Sequence, residues 1–432
     1  PSIIRNTDGS IDAWFAAPGS TFGKKQLLFN ESGAQSPIPL SGSITAAQQF
    51  SAAEPFYAVA VGCPNWTTTN SSLTMTLYEW KTDYATTVNG TPLAQHVYAN
   101  YQDNENLQLA RTGKFAAGTY LWVLSEPSGS AGVWKKAGET GSVQNYLNGT
   151  AVTGSYQSFL MIDSSSGAAF WDQIAYRRST DEGKTWTADT MVLQPTEGTR
   201  DQLSVCDPGV VKFGGYYYIG YTSTENAAGI FNHVYMARSA SPAGPWDKWN
   251  GSGWGRNPQP VITFDGATNA WGAGEPCMVV NNDTLFLYYT WDNSATLETR
   301  VATASAKDAN WPAHLVLHGT AVDKTGIAGA DHCDVKYRPD IRKYYALHTA
   351  ARLTANSYII LWESSDGLSF HKIAELRDNL KPYLHNCGWS GDSRGHSSPL
   401  IKQYLSYAYG PNWANWNTAW HPIVFQPADS IQ

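Results

Sequence analysis

One phrase recurs along this chain: an acid, a short apolar strand, a tight turn and a second strand rich in tyrosine. Cys206-Asp207-Pro208-Gly209-Val210-Val211-Lys212-Phe213 passes through Gly214-Gly215 into Tyr216-Tyr217-Tyr218-Ile219-Gly220-Tyr221. Two glycines between β-prone runs mark a hairpin. Glu275-Pro276-Cys277-Met278-Val279-Val280 leads likewise into Leu285 to Tyr289, and Asp331-His332-Cys333-Asp334-Val335-Lys336 into Tyr344 to Leu347. A weaker copy, Ser397-Ser398-Pro399-Leu400-Ile401-Lys402, precedes Tyr404 to Tyr409, and the chain opens on Ser2-Ile3-Ile4-Arg5, Asp8-Gly9 and Ile11 to Phe15.

The copies start at 207, 275, 331 and 397, so the offsets are 68, 56 and 66 residues. Hairpins repeated at such intervals suggest blades of a β-propeller, with long loops because the interval exceeds the usual ~40–50 residues. With the opening copy there are five blades. The first strand of each blade lines the central channel, so residues that open it converge on one mouth. Asp207, Glu275 and Asp331 hold that slot in three successive blades; the fifth copy has Ser397, with His396 before it. An Asp before Pro also starts turns. Three acids in register are harder to explain so, because buried like charges repel unless a substrate, proton or metal uses them.

The expected fold is therefore all-β: a five-bladed β-propeller over residues 1–19 and 170–432, interrupted by 20–169. The interrupting segment is rich in Ser, Thr, Asn, Ala and Gly and carries short alternating runs (Phe56 to Val61, Leu73 to Trp80, Asn106 to Ala110, Tyr120 to Leu124). Many short strands without a helical period suggest an inserted β-sandwich, jelly-roll-like. Such a module is expected to bind carbohydrate, cover one face of the propeller or mediate contacts.

Ser179-Thr180-Asp181-Glu182-Gly183-Lys184-Thr185-Trp186 matches the Asp-box and resembles the turn between outer blade strands of sialidases. Its Asp is expected to accept backbone hydrogen bonds, its Gly to allow positive φ and its Trp to pack between blades. A degenerate copy runs from Ser364 to Phe370, and Ala237 to Trp246 occupies the matching place in the second blade.

The acid-Pro strands, glycine hairpin and Tyr-rich second strands resemble five-bladed propeller glycosidases, the arabinanase–xylosidase and invertase–levanase families. The resemblance covers roughly 1–19 and 170–432. It implies that inner-strand acids of successive blades act on a glycosidic bond. In those families an Asp of the first blade is base or nucleophile; here that slot would precede Pro1, so Asp207, Glu275 and Asp331 take over, Asp172 substitutes, or the chemistry differs. Glu275 is the expected general acid because neighbouring carboxylates raise its pKa. Asp207 is the expected base and Asp331 its orienting partner.

Substrate contacts are expected from Asp172, Trp271, His332, His396, Trp389 and Arg352. Trp271 and Trp389 sit in Gly-rich runs read as overhanging the mouth; Trp413, Trp416 and Trp420 follow in the closing segment. Two alternatives stand beside hydrolysis: a polysaccharide lyase using His332, His385 or His396 as base with Arg352, or a non-catalytic sugar binder. No cofactor is expected, apart from a structural Ca²⁺ in the channel held by Asp207, Glu275 and Asp331.

The formal net charge of −7 with no basic cluster argues against a nucleic-acid partner, and no apolar run is long enough for a membrane helix. Charged residues are only 15% while Trp and Tyr number 18 and 24, which suits a carbohydrate partner and a secreted or periplasmic setting. Five cysteines leave at least one unpaired; Cys206, Cys277 and Cys333 are expected as small buried packers.

Overall fold

The computed structural model describes residues 2–423 apart from 69, 102, 139–142, 164–166, 226–230, 256, 267–269 and 412–416. Trp413 and Trp416 lie outside the described residues. The chain divides into two compact units, Pro1–Ser20 with Ala169–Gln432, and Thr21–Ala168.

The first unit is a succession of antiparallel sheets. Sheet one takes Ser2–Arg5, Ile11–Pro18, Asp172–Ser179 and Thr190–Leu193 in order. Ile11–Pro18 pairs directly with Asp172–Ser179, although 153 residues separate their facing ends (Pro18 opposite Asp172). Gly19 permits this closure, since a Cβ there would lie 1.9 Å from the Phe170 carbonyl oxygen. Sheet two is built on Cys206–Phe213, Tyr216–Thr224, Asn232–Ser239 and Asp247–Trp249, and sheet three on Gly272–Asn281, Thr284–Asp292, Leu297–Ser305 and Val316–Asp323; one parallel bridge, Asn232 to Gly272, links them. Sheet four comprises Asp334–Arg338, Lys343–Ala350, Tyr358–Ser364 and His371–Leu376. Sheet five has Leu384–Trp389, Gln403–Tyr409 and Asn417–Ile423.

Strand side chains alternate between faces, and here each face meets a different neighbour. Ile4 and Val210 share a core between sheets one and two, whereas Val211 and Met278 belong to the core between two and three. Val279 and Val335 pack between three and four, and Leu347 and Leu384 between four and five. Ile3 and Ile11 of sheet one then pack on Tyr404 of sheet five, with Trp186 and Trp420 beside them. These five apolar layers hold each sheet to the next, and the fifth to the first.

The fifth copy of the repeat does not begin at Ser397. Its first strand is Leu384–Trp389, a dozen residues earlier, and 399–401 form an exposed turn. Residues 391–397 instead run through the middle of the unit. The N–H groups of Arg5, Lys212, Val280 and Tyr337 donate to the carbonyls of Gly391, Ser393, Arg394 and Gly395 at 2.5–3.0 Å. Those four donors come from the first strands of the other four sheets, near their C-terminal ends. One loop therefore satisfies backbone groups from every other sheet. Gly395 (φ +78°) is required, because a Cβ would stand 2.8 Å from the Met278 carbonyl.

The Asp-box forms the turn between the third and fourth strands of sheet one. Asp181 accepts from the Thr185 N–H at 2.9 Å and its hydroxyl at 2.6 Å, Gly183 has φ +82°, and Trp186 meets Trp420 edge-on at 5.8 Å. Asp366 repeats the pattern in sheet four, accepting from the Leu368 and Ser369 N–H groups.

The second unit holds three further antiparallel sheets of six, four and three strands around one core that includes Phe50, Phe56, Phe115 and Trp122. Glu105–Phe115 and Gly118–Ser128 are separated by Ala116-Ala117 and belong to different sheets.

Candidate active site

Asp207 and Glu275 share an unusual backbone. Both have φ +51°, and both sit at a break in register: Cys206 faces Thr222 but Gly209 faces Gly220, and Gly274 faces Thr290 but Cys277 faces Tyr288. A residue before proline ordinarily stays extended, and the left-handed region costs a non-glycine residue roughly 1–2 kcal/mol. Such bulges re-aim a side chain out of the strand's alternation. Here the same device occurs at the two acid-Pro pairs of neighbouring sheets.

Neighbouring groups hold the bulges. The Glu275 N–H donates to Thr222 Oγ1 at 2.7 Å. The Cys206 thiol donates to Asp207 Oδ2 at 3.3 Å and approaches the Thr222 carbonyl at 3.6 Å. Gly209 lets the two sheets meet, since a Cβ there would lie 2.1 Å from the Pro276 carbonyl oxygen. Sheet five breaks register between Leu384 and Cys387, so His385 and Asn386, not Ser397, occupy the position that Asp207 and Glu275 hold.

Asp331 arrives differently. It precedes the first strand of sheet four, which starts at Asp334, and is buried at 4% exposure. Its N–H donates to the Thr349 carbonyl, its own carbonyl accepts from Lys324 Nζ at 2.7 Å, and Oδ2 pairs with Arg352 Nη1 at 2.9 Å. His385 Nδ1 lies 3.6 Å from the same oxygen.

The electrostatics separate the carboxyls. Burial pushes Glu275 well above the ordinary range, and repulsion from Asp331 and Asp207 adds to it. Burial pushes Asp331 up too and is the largest single effect, but the Arg352 guanidinium, His332, His385 and a hydrogen bond from Glu275 together outweigh it and hold this carboxyl below the ordinary range. The two adjacent carboxyls are thus pushed in opposite directions, Glu275 towards its protonated form and Asp331 towards its ionised one. Asp172, at the start of the third strand of sheet one, is raised to about 6 by burial and by the charge of Asp207. Burial lowers both His332 and His385, so the two imidazoles are neutral near pH 7.

Asp172, Asp207, Glu275, Asp331, His332, Arg352 and His385 therefore form one electrostatically connected group, drawn from all of sheets one to five. Donor atoms of Glu275, Asp331 and His332 lie within 4.8 Å of one another. That set fits a Ca²⁺ poorly. The ion takes six to eight oxygen ligands, whereas this trio offers two carboxyl groups and one imidazole nitrogen. Arg352 meets Asp331 through Nη1 and keeps 31% of its side chain exposed.

Three other expectations need correcting. Trp389 does not overhang a mouth; it is 3% exposed in the core between sheets four and five, and its N–H donates to Asp334 Oδ2 at 2.7 Å. His396 lies at the opposite end of the strands from Glu275, with Nε2 2.7 Å from the Val280 carbonyl. Residues 391–397 hang over no opening, since their carbonyls bond the strand ends. Trp271, by contrast, is half-buried next to Gly274 and Glu275. Thr222 and Lys324 were missed, since a threonine within a strand and a lysine within a loop carry no distinguishing sequence signal.

No protein-family model and no curated protein matches the chain. Solved structures similar to it include a thermostable family-43 glycoside hydrolase at 13% identity and a TM-score of 0.43, covering 59% of this chain and 83% of that one. Another is the endo-arabinase of Bacteroides thetaiotaomicron, at 17% and 0.42, covering 59% and 87%. A third is the catalytic domain of a GH62 α-L-arabinofuranosidase from Coprinopsis cinerea, at 12% and 0.40, covering 58% and 84%.

Proposed function

We propose that the chain is a glycoside hydrolase, with its reaction centre at the mouth of a closed five-bladed β-propeller and residues 21–168 inserted as a jelly-roll-like β-sandwich. The observation that carries the reading is the meeting of acids from the first-strand ends of successive sheets: Asp207 and Glu275 on matching left-handed bulges, with Asp331 within 4.8 Å of Glu275. Glycoside hydrolysis needs one carboxylic acid to protonate the departing oxygen and one carboxylate to act on the other side of the sugar.

In this scheme Glu275 gives its proton to the glycosidic oxygen as the bond to the anomeric carbon breaks. Asp207 is the base: it accepts a proton from the water whose oxygen bonds to that carbon. Asp331, pinned by Arg352 and by Lys324 on its carbonyl, is a positioning residue that keeps Glu275 protonated. Asp172 lies beside Asp207 and sets the charge around it.

The test is hydrolysis of aryl glycosides and of plant and microbial polysaccharides by wild type and Glu275→Gln. A loss of about 10²–10⁴ is expected for removing a general acid. Full activity of the variant on a substrate the wild type cleaves removes the assignment.

A further inference from the structure

Asp207 and Glu275 stand on different sheets, yet one residue touches both bulges. Thr222, 2% exposed, lies near the end of the second strand of sheet two. Its main chain faces Cys206, the last paired residue before the Asp207 bulge. Its side chain leaves the sheet and reaches the other bulge, where Oγ1 accepts from the Glu275 N–H at 2.7 Å.

The fit is close on the acid's side. A Cβ on Gly274 would lie 2.7 Å from Thr222 Cγ2 and 2.8 Å from its Oγ1, so the threonine is wedged against the residue before Glu275. β-Branching restricts its rotamers, so the methyl contact and the hydroxyl bond fix each other. Pro276 continues the contact, since a Cβ on Gly220 would lie 2.9 Å from its ring. Glycines clear the way between the sheets, and the threonine supplies the directional bond. On the base's side the link is Cys206, whose thiol lies 3.3 Å from Asp207 Oδ2 and 3.6 Å from the Thr222 carbonyl. Burial drives that thiol's pKa well up, so it keeps the proton it donates.

We infer that Thr222 is a positioning residue that holds the acid and the base in one frame, its hydroxyl serving Glu275 and its main chain, through Cys206, serving Asp207. The inference rests on reading Glu275 as the acid and Asp207 as the base. Both bulges are strained, so each needs a bond to keep it in place. With the hydroxyl gone the Glu275 N–H loses its acceptor, and the acid's aim at the glycosidic oxygen goes with it.

The two arms leave different kinetic marks. A 2,4-dinitrophenolate departs as the anion, whereas a sugar oxygen departs only with the acid's proton. The test uses the full chain and one cleaved sugar carried on 2,4-dinitrophenol, 4-nitrophenol, phenol and a second sugar. Thr222→Val keeps the shape without the acceptor. It should lower kcat about 10²-fold on the oligosaccharide, as a misplacement of about 1 Å does, and progressively less as the leaving group improves, with KM little changed. Thr222→Ser keeps the hydroxyl and should recover most of the loss. Cys206→Ala acts on the base and should lower kcat by the same factor throughout the series. Should the valine variant not fold, Thr222→Ala against Thr222→Ser gives the same comparison.

Should wild type cleave no aryl glycoside, ¹³C-labelled glutamate carboxyls decide. The Glu275 resonance should titrate closer to the ordinary range in Thr222→Val, because the released bulge lets the carboxyl reach water, and return in Thr222→Ser. Besides Cys206, the groups facing Glu275 are Asp207, Lys324, Asp331, His332, Cys333 and Arg352, all unchanged in these variants. A Thr222→Val loss equal on every leaving group, a loss that serine does not recover, or an unmoved Glu275 midpoint overturns the inference. Failure of the wider reading looks different: Glu275→Gln itself then shows no dependence on the leaving group.

Discussion

Asp172 offers a test that needs no substrate. Its carboxyl is raised from 3.8 to about 6, by burial and by the charge of Asp207. A unit of pKa is worth about 1.36 kcal/mol, so ionised Asp172 costs the folded state roughly 2–3 kcal/mol, the lower figure allowing for residual solvent. The sign follows from proton binding. Near pH 3 folded and unfolded chains both hold the proton, and there is no penalty. Between about 4 and 6 the folded chain keeps a proton that the unfolded chain has lost, so stability falls with rising pH; above 6 the full penalty applies. Asp172→Asn removes the titration while keeping the shape. Urea unfolding of wild type and variant at pH 3.5, 5, 6 and 8 should show nearly equal midpoints at the lowest pH. By pH 8 the variant should be about 2–3 kcal/mol more stable. A variant that is less stable at pH 8, or a difference that does not move with pH, refutes the proposed repulsion between Asp172 and Asp207.

Arg352→Ala leaves Asp331 buried without its counter-charge and should destabilise the fold by about 3–5 kcal/mol, read by urea midpoint; Arg352→Lys, which keeps the charge, should lose less. Gly209→Ala drives a Cβ into the Pro276 carbonyl at 2.1 Å and should cost at least about 1–3 kcal/mol, with activity falling further because the Glu275 bulge must shift. Asp181→Ala removes the acceptor for the Thr185 N–H and hydroxyl. Its melting temperature should drop while kcat stays at the wild-type value, since the turn touches no part of the carboxyl group.

Much of this architecture could be read from local chemistry. The acid-Pro strands announce sheets two and three because proline, glycine and β-branched runs fix strand starts and hairpins within a few residues. The Asp-box declares its turn for the same reason. Sheet five escaped because its first strand, Leu384-His385-Asn386-Cys387-Gly388-Trp389, has almost no β-forming signature, while Ser398-Pro399 before Tyr404 imitates the acid-Pro opening. Trp389 was misplaced with it: once the strand starts at Leu384, the register buries the indole. Residues 391–397 look like an ordinary polar loop, and nothing local shows that their carbonyls bond four distant strands. The carboxyl cluster was legible as residue types but not as states. That Glu275 is pushed up while Asp331 is held down depends on Arg352, 21 positions after Asp331, among other distant groups, and on two left-handed residues that proline ordinarily forbids.

The decisive measurement is a carboxyl titration. With side-chain carboxyl carbons of glutamate labelled with ¹³C, one resonance should remain in the protonated range at pH 7. It should titrate well above the others, disappear in Glu275→Gln and move to a lower midpoint in Asp331→Asn. If every glutamate carboxyl is ionised by pH 6, or if the high-titrating resonance survives Glu275→Gln, the account of a proton held at Glu275 is wrong.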